Sequence, residues 1–157
     1  MGSDAATQGS WQGAYGAQGY DLMGGPSSLP AYASVSAAGK SDWVWAASTA
    51  DVRALQKPGA NDRLAACWYA SSSFSVDVNL TDGQAHQVSL YLLDWDSTAR
   101  AEAVDVLDAA TGAVLDSESA ASFHGGQYLS WQVSGHVQFR ISRTAGANAV
   151  LSGLFFD

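Results

Sequence analysis

Phe74-Ser75-Val76-Asp77-Val78-Asn79-Leu80 decides the fold class, because Phe74, Val76, Val78 and Leu80 recur at every second position with Ser75, Asp77 and Asn79 between them. A period of two puts the apolar set on one face of an extended strand and the polar set on the other. Thr81-Asp82-Gly83-Gln84 follows, and Asp-Gly supplies the positive φ of a tight turn. His86 to Asp94 then resumes with Val88, Leu90 and Leu92 on one side, so the two runs are expected to pair as a hairpin. Further on, Val104, Val106 and Leu107 lead through Asp108-Ala109-Ala110-Thr111-Gly112 into Val114-Leu115, a second expected hairpin whose Gly112 fits a left-handed turn position. Tyr128 to Val133, Val137 to Ile141 and Ala149 to Phe156 read as additional strands, separated by Ser134-Gly135 and by Thr144 to Asn148. Upstream, Ala31 to Ala37 and Trp43 to Ser48 supply two more, while Thr49 to Lys57 fits neither period. The first thirty residues carry Gly and aromatic punctuation, and read as a wrapping segment packed by Trp11, Tyr15 and Tyr20. Short strands with turn signals every ~8–12 residues define an all-β sandwich or barrel.

The whole chain has 157 residues, enough for one domain with a core that needs no disulfide or structural metal. Only 14% of it is charged, and seven Lys and Arg against fifteen Asp and Glu leave a net charge of -8, which repels phosphate backbones and anionic lipid surfaces. Nucleic acid and membrane insertion are therefore excluded as partners. No apolar stretch approaches the ~20 residues of a membrane span. The single Cys67 permits no internal disulfide, and reads as a small buried hydrophobe. Met1-Gly2-Ser3 has the form of a cloning remnant, so residues 4–157 are expected to be one module, with any secretory signal outside them.

Catalytic chemistry has few candidates. His86, His124 and His136 lack the local spacing of a metal site, and no nucleophile elbow or phosphate-binding Gly loop occurs. Asp94-Trp95-Asp96 places two carboxylates at i and i+2, which in an extended strand would share a face about 6.5–7 Å apart at the α-carbons. That spacing overlaps the inverting glycosidases, but a pair on one strand end lacks the opposed geometry across a sugar ring. The alternative is a polar turn whose Asp side chains accept backbone hydrogen bonds. A different chemistry suits the same residues: a Trp face stacks on a pyranose ring, while Asp and Arg bond its hydroxyls. Trp95 with Asp94, Asp96 and Arg100 forms the main candidate ligand site, and Trp43 and the Trp68-Tyr69 pair are further aromatic candidates. Trp45 and Trp131 are read as core.

The run Val88 to Asp96, then Arg100, then Val104-Asp105-Val106-Leu107-Asp108, resembles the central strand, loop and strand of malectin-like and galactose-binding-like carbohydrate-binding modules. Asn148 to Phe156 is similar to their last strand, and Thr7 to Trp11 with Tyr15 to Tyr20 to the start of modules appended to secreted bacterial glycan-degrading enzymes. The resemblance implies a β-jelly-roll sandwich of two antiparallel sheets. It adds Asn148 to the candidate ligand contacts, and suggests a structural Ca²⁺ held by Asp4 and Asp157, with no cofactor otherwise required. One departure stands out: no second aromatic is evident to sandwich the sugar.

The function these readings imply is non-catalytic: a secreted, monomeric carbohydrate-binding module of a larger enzyme, taking a polysaccharide or oligosaccharide as its partner. The alternatives are a structural or protein-interaction module of a cell-surface protein, and a small glycoside hydrolase using Asp94 and Asp96.

Overall fold

A computed structural model describes residues 1–157. The strands run in chain order β1 (Gly2–Asp4), β2 (Gly19–Leu22), β3 (Ser27–Ser28), β4 (Ala33–Ala38) and β5 (Ser41–Thr49). Then come β6 (Leu55–Gln56), β7 (Arg63–Ala70), β8 (Ser73–Leu80), β9 (His86–Leu92) and β10 (Ala101–Asp108). The last five are β11 (Val114–Ala121), β12 (Gln127–Val133), β13 (His136–Ala145), β14 (Ala149–Leu151) and β15 (Gly153–Phe156). One 3-10 turn, Phe123–Gly125, is the sole helical piece, and no helix is long and apolar enough to cross a membrane.

A six-stranded sheet, β1-β12-β9-β15-β2-β3, faces a five-stranded sheet, β11-β10-β13-β8-β4, as an antiparallel sandwich. The inward residues of β8, Phe74, Val76, Val78 and Leu80, meet Val88, Leu90 and Leu92 of β9 in one apolar cluster. Trp131 and Phe139, one from each sheet, sit 5.5 Å apart across it. The expected alternation of β8 is thus realised residue for residue. The Trp131 indole N–H also donates to Asp116 at 2.7 Å. Trp131→Phe, which keeps an aromatic ring but deletes the donor, is expected to lower stability by about 1–2 kcal/mol in urea titration.

The expected hairpin at Asp82-Gly83 is not a hairpin. β8 pairs with β13 and β4, whereas β9 pairs with β12 and β15, so the turn carries the chain from one sheet to the other. Gly83 has the predicted left-handed backbone, φ 73°. Both runs aim their apolar faces at the same core from opposite sides, and a period of two cannot distinguish that from lying side by side. The second hairpin forms as expected, with Leu107 opposite Val114.

A third sheet, β14-β7-β5, was not foreseen in a two-sheet sandwich. Its central strand β7 escaped the sequence reading because Leu64, Ala65, Ala66 and Cys67 are buried in succession, so no alternation marks it. The expected last strand, Ala149 to Phe156, divides at Ser152, its first part pairing with β7 and its second with β9. Thr49 to Lys57 holds the last residue of β5 and the short β6.

The N-terminal segment wraps as expected. Trp11 packs with Leu22, Leu55, Tyr91, Leu93, Tyr128 and Phe155 in a second cluster on the outer face of the six-stranded sheet, with Tyr15 and Tyr20 against it. β9 is therefore buried on both sides: Val88, Leu90 and Leu92 face the sandwich, and Tyr91, with Leu93 just past the strand, the wrapping segment.

Candidate functional site

β5 and β7 pair with Trp43 opposite Cys67, and Tyr69, two residues on, shares that face. β14 lies on the other side of β7 with Val150 opposite Tyr69, which brings Asn148 to the same end of the sheet. A bulge between Val44 and Ala46 interrupts the pairing at Trp45, and bulges re-aim the side chains at them. Together with the loop after β9 these elements enclose a cleft of about 220 Å³ lined by Trp43, Trp45, Cys67, Tyr69, Asp96 and Asn148. Trp43 is 56% exposed, an unusual position for so large a ring.

Arg100 organises this cleft from beneath. It is only 6% exposed, yet one guanidinium nitrogen, Nη1, donates to Asp94 Oδ1 and Asp96 Oδ1, each at 2.5 Å. Its Nε donates to Asn148 Oδ1 at 2.8 Å, and its guanidinium carbon lies 5.7 Å from the centre of the Trp45 ring. Because the Asn148 oxygen accepts from Arg100, its amide nitrogen remains a donor for a ligand. One buried cation thus fixes two polar groups and one aromatic of the cleft, the preorganisation that makes a weakly polar site bind.

Asp94, expected among the ligand contacts, lies outside the lining of this cleft and is taken up in holding the loop after β9. β9 ends at Leu92, so the backbone is no longer a strand through Asp94 and Asp96. The Asp94 carboxylate is buried and accepts from Ser97 Oγ at 2.7 Å, the Arg100 amide at 3.0 Å and the Arg100 guanidinium. Burial alone would raise its pKa, but the hydrogen bonds from Ser97 and Arg100 outweigh it and hold the group below the ordinary value. Asp96, by contrast, has a side chain 53% exposed. Two carboxylates joined to one guanidinium are not the opposed acid and base of a glycosidase.

Trp95 stands apart from the cleft. Arg53 lies over its ring at 4.4 Å, held by Asp51 at 2.8 Å and by the Trp95 carbonyl at 3.3 Å. His124 completes that cluster: its Nδ1 lies 2.8 Å from the Asp94 carbonyl and 2.7 Å from that of Ser97, so Nδ1 carries the proton, while Nε2 faces Arg53 at 3.2 Å. Trp68 is also separated, since it projects from the opposite face of β7 to Tyr69, with Lys40 4.9 Å from its ring.

Of the candidate residues, the structure therefore gathers Trp43, Tyr69, Asp96 and Asn148 around one cleft with Arg100 under it, and sets Asp94, Trp95 and Trp68 elsewhere. Trp45, read as core, packs half-buried against both apolar clusters and also reaches the cleft, as the spacing Trp43-x-Trp45 allows. Cys67 forms the floor, where burial pushes its thiol pKa up to about 12 and leaves it unreactive. A larger cavity of about 400 Å³ lies near the far end of β5, but Ser48, Thr49, Ala50, Gln56, Ala60, Asn61, Asp62 and Arg63 line it without any aromatic.

Asp4 and Asp157 do not fit a calcium site. Asp4 accepts from the amides of Ala6 and Thr7 and the hydroxyls of Thr7 and Tyr15. Asp157 accepts from the amides of Gly16 and Ala17. Every one of these four oxygens already faces a donor, whereas calcium requires six or more oxygen ligands converging on one point. No group of three or more His, Cys, Asp or Glu is placed to hold a metal ion.

No protein-family model matches the chain, and no curated protein matches it. Among solved structures it is similar to a family 35 carbohydrate binding module from Clostridium thermocellum, at 8% identity over 78% of this chain and 90% of that one, TM-score 0.43. It is also similar to a carbohydrate binding module from Cellvibrio mixtus lichenase 5A in complex with cellotriose, at 13% identity over 78% and 88%, TM-score 0.43. An exo-β-1,3-galactanase from Phanerochaete chrysosporium with galactose matches at 18% identity over 88% of this chain but 32% of its own, TM-score 0.38.

Proposed function

We propose that this chain is a non-catalytic carbohydrate-binding module that acts outside the cell as a monomer and tethers a parent enzyme to a polysaccharide. The observation that carries the reading is the cleft itself: Trp43, Trp45 and Tyr69 beside Asp96 and Asn148, with both polar groups fixed by Arg100. Aromatic faces take the C–H side of a sugar ring, and the Asp oxygen and Asn amide bond its hydroxyls. A shallow site of this kind binds one segment modestly, and attachment to a larger protein raises the avidity. Trp95, Trp68 and Asp94 support the fold in this scheme and touch no sugar.

Affinity electrophoresis against a polysaccharide panel, with tryptophan emission followed in parallel, tests it. The native protein is expected to be retarded by at least one polysaccharide and to change its emission on binding. Trp43→Ala is expected to weaken that binding by about tenfold or more. Uniform non-binding by the native protein would refute the reading. That outcome would return the chain to an interaction module with its Trp residues structural, whereas unchanged affinity in Trp43→Ala would keep sugar binding and remove it from this cleft.

A further inference from the structure

We propose that the Trp43–Tyr69 cleft selects glycans bearing a protonated amine, polymers with free amino-sugar units, over neutral ones, and rejects those bearing uronate or sulfate. This rests on the sugar-binding reading and names the class of sugar. Asp96 is the one ionic side chain among the six that line the cleft. Beneath it, the single charge of Arg100 stands between the two carboxylates of Asp94 and Asp96, so the cluster carries one uncompensated negative charge. Only Asp96 Oδ1 is occupied by Arg100, and the half-exposed carboxylate keeps its second oxygen for a ligand.

The cations nearby are committed elsewhere. Lys40 is bound to Asp42 and lies over Trp68, on the other face of the sheet. Arg143 donates to the carbonyls of Ser71 and Gly146. Arg53 is held by Asp51. Trp43 and Tyr69, whose rings carry no cation as Trp45 carries Arg100, complete the surroundings, and ring faces attract an ammonium as they repel an anion. The net charge of -8 acts in the same sense at longer range. A uronate placed here would meet unpaired negative charge and no free cation, whereas an ammonium would meet a free carboxylate oxygen and π faces.

Calorimetry on the intact protein with hexasaccharides of one linkage that differ only at C2 isolates this charge: hydroxyl in the glucose series, acetamide in the N-acetylglucosamine series, ammonium in the glucosamine series. Polygalacturonate is the anionic arm. At slightly acid pH and low salt the glucosamine series is expected to bind about tenfold tighter than the other two, and polygalacturonate not at all. High salt should erase most of the advantage, and Asp96→Asn should remove it. Equal or tighter binding of the hydroxyl or acetamide series overturns the amine preference, as does binding of polygalacturonate. If none of the hexasaccharides binds while some neutral polysaccharide retards the protein in the affinity gel, the preference falls and the sugar-binding reading stands. If nothing binds in either assay, both fall.

Discussion

Asp94→Ala is expected to destabilise the fold by about 3–5 kcal/mol, the penalty for leaving one member of a buried ion pair without its partner. In a chain of this size that corresponds to a fall in melting temperature on the order of 10 °C. Arg100 is 6% exposed and would keep only the half-exposed Asp96 as a charged partner, beside the neutral Asn148 oxygen. The amide of Arg100 and the hydroxyl of Ser97 would lose their acceptor at the same time. Asp96→Ala removes an outer partner of the same guanidinium, and should cost no more than about 1 kcal/mol because its ion pair is partly solvated. The difference between the two variants, measured by scanning calorimetry, is the test. Equal melting temperatures would mean that Asp96 alone sustains Arg100 and that the scaffold role of Asp94 is wrong.

The pH dependence of that loss has a definite sign. Asp94 is held below the ordinary value of 3.8 in the folded protein, so its contribution is complete above that value and disappears as pH falls through the lower folded-state pKa. The gap between native and Asp94→Ala melting temperatures should therefore narrow on acidification below 3.8. Binding should suffer as well, because the loop from Asp94 to Arg100 is what delivers Asp96 to the cleft and Arg100 to Asn148.

What the sequence made legible was what alternation records. β8, β10 and β13 each present one dry and one wet face, and their apolar residues were readable as a set. β7 was not, because it is the middle strand of its sheet and dry on both faces over Leu64 to Cys67. The turn at Asp82-Gly83 was readable as a turn, but its destination depends on which sheet has a vacancy for β9, a tertiary fact. The candidate site divided in the same way. Trp43 and Tyr69 meet because register places Cys67 opposite Trp43, and Arg100 reaches Asn148 across 48 positions of sequence. Neither relation has a local signature. Asp94 and Asp96 look equivalent in Asp94-Trp95-Asp96, yet one is 1% exposed and the other caps the open side of the guanidinium, a difference created by where β9 stops.

Glu102 was legible in principle, since it shares parity with Val104 and Val106 and so belongs to the inward face of β10. Its side chain is fully buried. One carboxyl oxygen accepts from the Val150 amide at 2.9 Å, and the other has no partner. Burial pushes the pKa up to about 8, with the Val150 hydrogen bond and the Arg100 charge pulling it down less strongly. In the unfolded chain the same group titrates near 4.5. Between those values the folded state holds a proton that the unfolded state has released, so stability must fall as pH rises from about 4.5 to about 8. The total decline from this one group is up to about 5 kcal/mol, at 1.36 kcal/mol per pKa unit. Glu102→Gln keeps an acceptor for Val150 and cannot ionise. It should match the native protein within about 1 kcal/mol near pH 4.5, where the folded native carboxyl is neutral, and exceed it progressively up to about pH 8, where the difference levels off. Urea titrations across that range measure both slopes. A native protein as stable at pH 9 as at pH 5, or a Gln variant with an undiminished slope, would show that Glu102 does not hold its proton in the fold. Val150 lies opposite Tyr69 and two residues from Asn148, so this buried acid anchors the strand from which one wall of the cleft is built.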